Sequence, residues 1–151
     1  MDIPENIKII TTEDFLKKHP EMFFGSEGAS EQGVANILSL TAKHLGASDV
    51  KSIKRNDFMC VCSDKDWLIL ENKDGLTEIN VFYRLWPFPE GGVNAARIEA
   101  IAKVYSSILV SARKSNIFVV KGSLDAEEEK IINKLCETWE RVICFKYENT
   151  L

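Results

Sequence analysis

The sequence predicts an α+β fold, a two-layer sandwich in which a mixed, mostly antiparallel sheet is covered on one face by helices. Three observations carry this. Apolar residues recur at helical spacing in separate stretches; between them lie paired short runs of β-branched and aromatic residues joined by polar turns; and the helical stretches alternate with these pairs rather than with single strands. With 151 residues, 45% of them hydrophobic, the chain has the size of one domain and the apolar content of an ordinary core, so residues 1–151 are read as a single unit.

Taken in order, the first ten residues end in Ile7-Lys8-Ile9-Ile10, a short edge strand or an arm. Thr11 or Thr12 caps a brief helix to Lys18, with Asp14 as the reciprocal partner of Thr11 and Pro20 forbidding continuation. A turn His19-Pro20-Glu21-Met22-Phe23-Phe24-Gly25 and a glycine-rich surface loop to Gly33 follow. The element around which the rest is organised comes next. Val34, Ile37, Leu38, Thr41 and Leu45 line one face of an amphipathic helix, with Ser30 placed to cap its start and Gly46 to stop it.

Val50 to Arg55 and Phe58 to Cys62 read as strand, and Trp67-Leu68-Ile69-Leu70 as the returning arm of a hairpin across Ser63–Asp66. Ile79 to Pro89 is the most aromatic part of the chain. Gly91-Gly92 opens a second long helix whose apolar face is Val93, Ala96, Ala100, Ile101 and Val104. Ser107–Ala112 and Ile117–Val120 form a hairpin across Arg113–Asn116. Asp125 with Glu128 supplies a capping box for a last helix, whose face is Ile131, Ile132, Leu135, Cys136 and Trp139, and Val142–Tyr147 is the final strand.

Composition narrows the function classes. A net charge of −4 lacks the clustered basic footprint of a nucleic-acid binder and suits a basic protein partner. No apolar run approaches the roughly 18–20 residues that span a bilayer, and Met1-Asp2-Ile3-Pro4-Glu5 has no secretory layout, so no membrane is expected and the compartment is read as cytoplasmic. Cys60, Cys62, Cys136 and Cys144 are then reduced thiols packed as small hydrophobes. Cys60-x-Cys62 places two thiols on one strand face, and His19 or His44 would complete a set, but the spacing is not that of structural zinc; no metal and no cofactor are expected. His44 sits where an imidazolium favours a helix C-terminus. No cysteine precedes a helix as an activated nucleophile would, and neither a Gly-x-Ser-x-Gly motif nor a phosphate-binding loop is present.

The element order and the turn His19–Gly25 resemble the ATP-binding domain of the GHKL superfamily, specifically that of the DNA gyrase B subunit, in which an Arg-Pro-Gly-Met-Tyr-Ile-Gly segment precedes the first long helix. The resemblance covers residues 13 to about 147 and implies the sandwich fold. It does not extend to the chemistry. Aligned from Gly33, the family's water-activating glutamate falls on Leu40 and its magnesium-holding asparagine on His44; a leucine takes no proton. The family's Asp-x-Gly-x-Gly falls on Glu71-Asn72-Lys73-Asp74-Gly75, which keeps only the last glycine. Its glycine-rich phosphate lid shrinks to the aromatic segment ending at Gly91-Gly92.

The resemblance therefore implies a GHKL-like scaffold without ATP chemistry, and the expected function is that of a non-catalytic binding protein. A small acidic inhibitor of this kind is similar to bacterial toxin-immunity proteins, which block a basic nuclease toxin. The alternative is a divergent nucleotide-binding ATPase or kinase relative using Glu71 and His44. Two surfaces are candidates for the partner. Tyr83, Arg84 and Trp86 are the residue types found at interface centres, although the aromatic segment also reads as a plug for a lost nucleotide cavity. Asp125, Glu127 and Glu128 form an acidic patch, although the helix dipole alone accounts for acidic residues there.

Overall fold

The computed structural model describes residues 12–68, 80–83, 86–87, 96–97 and 99–149; the expected N-terminal strand or arm, residues 69–79 with the Glu71–Gly75 stretch, Arg84 and Gly91-Gly92 lie outside these. The expected α+β sandwich is what the chain forms. Its sheet contains β1 (Val50–Arg55), β2 (Phe58–Ser63), β5 (Ser106–Arg113), β6 (Asn116–Lys121) and β7 (Arg141–Tyr147). Their order is β1-β2-β7-β5-β6, and every described pairing is antiparallel.

Two hairpins are local. β1 and β2 turn through Asn56-Asp57 with Asn56 at φ 52°, and β5 and β6 through Lys114-Ser115 with Ser115 at φ 70°, so each two-residue turn is made with one left-handed residue. β7 joins them: Cys60 and Val61 of β2 stand opposite Cys144 and Ile143, and Val110 and Ser111 of β5 oppose the same two residues from the other side. The place beside β2 that sequence reasoning gives to Trp67–Leu70 is thus taken by the C-terminal strand. Trp67 and Leu68 form a buried turn instead, the indole anchored in the core.

Three helices form close to where they are read. α1 (Thr12–Lys18) and α3 (Glu31–His44) match expectation, with the Ser30 hydroxyl accepting from Gly33 N at 2.9 Å. Pro20 stops α1 but starts α2 (Pro20–Phe24), where its fixed φ suits the first helical turn. α5 (Ala126–Cys136) carries the complete Asp125/Glu128 capping box. The long helix expected from Gly91 is shorter: α4 spans Ala100–Val104 only, and Ala96–Arg97 is a strand, β4, paired with β3 (Trp86–Pro87). Ladder pairing there overrides the helical period, and α4 buries Ala100, Ile101, Ala102 and Val104, with Lys103 as its one polar residue.

The alternation of β2 and β7 explains the layers. Met59, Val61, Ile143 and Phe145 point into one core with Leu16 of α1, Leu38 of α3 and Ile101 of α4, which is the sandwich. Phe58, Cys60, Cys62, Val142 and Cys144 point to the other side, where α5 covers them with Ile132, Leu135 and Cys136. Among the described residues one helix, α5, lies on the second face, an addition to the expected one-face covering. It follows from the strands themselves: β2 is buried at every position, and a strand buried on both sides reads as a continuous apolar run rather than an alternating one.

Arg141, the first residue of β7, is fully buried and pins the turn after β2. Its Nε and Nη2 donate to Asp66 Oδ1 and Oδ2 at 2.9 and 2.8 Å, and its Nη1 donates to Ser111 Oγ at 3.0 Å. The same turn is held from the other end, where Asp64 Oδ1 accepts from Ser48 N and Asp49 N at 3.0 and 3.1 Å. A bidentate guanidinium–carboxylate pair in such a place tolerates no loss of one partner, because the remaining charge stays buried. Asp66→Ala is therefore expected to lower unfolding stability by about 3 kcal/mol. Urea titration followed by circular dichroism should show the midpoint fall with an unchanged slope.

Candidate functional site

The outer face of α3 meets the segment before it across a cleft of about 250 Å³. Its construction begins with glycine. A Cβ at Gly33 would stand 2.7 Å from Cδ1 of Phe24, so only glycine lets that ring lie against the first turn of α3. Phe24 in turn meets the edge of Tyr105 at 5.4 Å, and the Tyr105 hydroxyl donates to the Leu16 carbonyl at 3.2 Å, which ties α2 to α1 and to the start of β5. Gly25 and Gly28, at φ 69° and 78°, carry the chain through a 3-10 turn, Gly25–Glu27, that closes one end.

Phe23, Phe24, Ile37 and Leu40 give the cleft apolar walls, while Glu27, Gln32 and Asn36 give it a polar side, with Gln32 Nε2 donating to Asn36 Oδ1 at 2.9 Å. Leu40 is 66% exposed, and Met22, on α2 beside Phe23, is 63% exposed. A large apolar side chain, Leu40, held in water at the wall of a preformed cleft makes a surface suited to receiving an apolar group, with the Glu27 carboxylate available to a cation beside it. The helical period gives only a faint sign of this. Leu40 falls off the buried stripe of Val34, Leu38 and Thr41, which is the one signal the sequence offered.

The residues expected to meet a partner are scattered. Tyr83 is half exposed, with Lys103 Nζ of α4 at 4.9 Å from its ring centroid, so it belongs to the side of the sheet that carries α1, α3 and α4. Trp86 is described by its backbone, which pairs with Arg97, and Arg84 lies outside the described residues. Asp125, Glu127 and Glu128 head α5 on the opposite side. Two of these three are engaged internally: Asp125 Oδ1 accepts from Glu128 N at 2.8 Å, Glu128 Oε1 accepts from Asp125 N at 3.0 Å, and Glu128 Oε2 meets Lys146 Nζ at 2.8 Å. Glu127 faces solvent, 3.5 Å from Lys130. Tyr83 and the acidic residues therefore do not share one surface.

The positions aligned with family chemistry are equally plain. Leu40 faces the cleft and His44 is exposed on the last turn of α3. All four cysteines are buried; burial pushes the Cys62 thiol up to about 12 and that of Cys136 up to about 11, and raises Cys144 well above its ordinary value. Protonated thiols of this kind are not nucleophiles. Among the described residues no group of three or more His, Cys, Asp and Glu side chains is placed to hold a metal ion, and no helix is long and apolar enough to cross a membrane. No family model matches the chain, and no curated protein matches it.

The Glu128–Lys146 pair has a definite pH signature. The Lys146 hydrogen bond, and after it the backbone N–H of Asp125, hold the Glu128 carboxyl below its ordinary range, and the same bond raises Lys146. A carboxylate whose folded pKa is depressed contributes stability above its unfolded pKa and loses it as pH falls through the folded value. Glu128→Gln keeps the cap geometry but removes the charge, so it should cost about 0.5 kcal/mol at neutral pH. The difference from wild type should vanish on acidification below the glutamate range, as checked by urea unfolding at a series of pH values.

Proposed function

We propose that this chain is a non-catalytic binding protein that acts by covering a site on a basic protein partner, an inhibitor of the kind represented by bacterial toxin-immunity proteins that block a nuclease toxin. The reading is of a GHKL-like scaffold turned to protein recognition in the cytoplasm. The observation that carries it is the exposed side chain of Leu40 lining the cleft between α2 and α3, with Phe23, Phe24 and Ile37 as the other apolar walls. Exposed apolar groups around a preformed concavity are the usual sign of a recognition surface, and the net charge of −4 favours encounter with a basic partner.

In this reading an apolar side chain of the partner enters between Phe23, Phe24, Ile37 and Leu40 while a neighbouring lysine or arginine meets Glu27. Leu40, standing where the resemblance would have a water-activating glutamate, is then an interface residue. Tyr83, on the same side of the sheet as α3, is exposed and available at the periphery of a larger contact, whereas Glu127 lies on the opposite side and takes no part in it. The nucleotide-binding alternative rests on Glu71, outside the described residues, and on His44.

Leu40→Arg tests the reading. The side chain is exposed, so folding should be unaffected within about 0.5 kcal/mol, whereas a basic partner should bind at least about tenfold more weakly. Tagged wild-type protein recovered from its native host should carry a stoichiometric basic protein that the variant loses. Recovery of wild type alone, undiminished capture by the variant, or heat on titration with ATP and magnesium would overturn it.

A further inference from the structure

Beneath α5, on the face of the sheet away from the cleft, four thiols share one core: Cys60 and Cys62 of β2, Cys144 of β7 and Cys136 of α5. Two of them are more than neighbours. Cys60 and Cys144 are directly opposed in the antiparallel β2–β7 ladder, and their Sγ atoms are 3.0 Å apart. Directly opposed residues have Cα atoms about 4.5–5.5 Å apart, inside the range of about 4.4–6.8 Å that a disulfide spans. The sulfurs need to close by only about 1 Å to reach bonding distance.

We propose that Cys60 and Cys144 are a modification site, joined as a cross-strand disulfide when the chain folds in the presence of a small-molecule disulfide such as oxidised glutathione. Two S–H bonds break and one S–S bond forms; the two electrons and two protons pass to the small disulfide, which leaves as two thiols. The register selects the pair. Cys62 stands opposite Val142 rather than a cysteine, and Cys136 lies on the helix above, so both stay reduced. Timing matters too, because the site is sealed once α5 docks. The bond forms as β7 closes against β2, and the same burial then shields it from reductant.

The bond would join residues 84 apart and fasten the two strands on which both cores are built. Closing so long a loop restricts the unfolded chain strongly, and the midpoint of thermal unfolding should rise by about 10 °C.

The experiment is to unfold the full chain under reducing conditions, refold it in a glutathione redox buffer, count thiols and map the link by proteolysis and mass spectrometry. The expected result is loss of two of the four thiols, a single Cys60–Cys144 cross-linked peptide, and the higher thermal midpoint. The double variant Cys62→Ala/Cys136→Ala keeps the opposed pair and should form the same link, whereas Cys144→Ala should form none. Four thiols remaining after refolding, a link involving Cys62 or Cys136, or a Cys62→Ala/Cys136→Ala protein that folds without the link would overturn the proposal.

Discussion

The last strand of the chain is the middle of its sheet, and everything else depends on that insertion. β1–β2 and β5–β6 are hairpins that each close over two residues, but neither has a partner on its inner edge until Arg141–Tyr147 lies between them. Both hydrophobic cores draw on this strand, since alternate residues of β7 serve opposite faces: Ile143 and Phe145 the helical layer, Val142 and Cys144 the space beneath α5. Arg141 ties the register of that strand to the turn at Asp66 and to Ser111 of β5, so a slip of β7 would strand a buried guanidinium. Folding of such a topology waits for a contact distant in sequence, although its hairpins are local.

Much of this architecture was legible, and for a common reason. Wherever a local motif states its own geometry, the sequence reads correctly: Ser30 with the stripe Val34–Leu38–Thr41, the Asp125/Glu128 box, and the hairpin turned by Lys114-Ser115. It fails where two local readings are equally good and a distant partner decides. Trp67-Leu68 has the composition of a strand, yet the position beside β2 belongs to a strand more than seventy residues on. Ala96 fits a helical period, yet it pairs with Pro87. The covering of the second face by α5 was written in the unbroken apolar run of β2, which signals burial on both sides.

The candidate site was less legible than the fold because exposure is not a property of residue type. Leu40 and Met22 are ordinary apolar letters until their side chains prove to stand in solvent. The Gly33–Phe24 contact that shapes the cleft is short in sequence but depends on the Tyr105 ring and on the Leu16 carbonyl, both set by tertiary packing. The acidic run shows the opposite relation. Asp125 and Glu128 carry the letters of an interaction patch, but their hydrogen bonds are spent within the cap and on Lys146, and Glu127, in solvent, stands 3.5 Å from Lys130.

The two faces of the sheet are thus distinct, one supporting the helices that shape the cleft and the other sealing the thiols, and β7 is common to both. Native-state hydrogen exchange tests this arrangement most directly. The amides of Val142–Phe145 should exchange only through global unfolding, with the highest protection in the chain, while those of β6 and the edge of β1 exchange through smaller openings. Faster exchange in β7 than in the β5–β6 hairpin would contradict it.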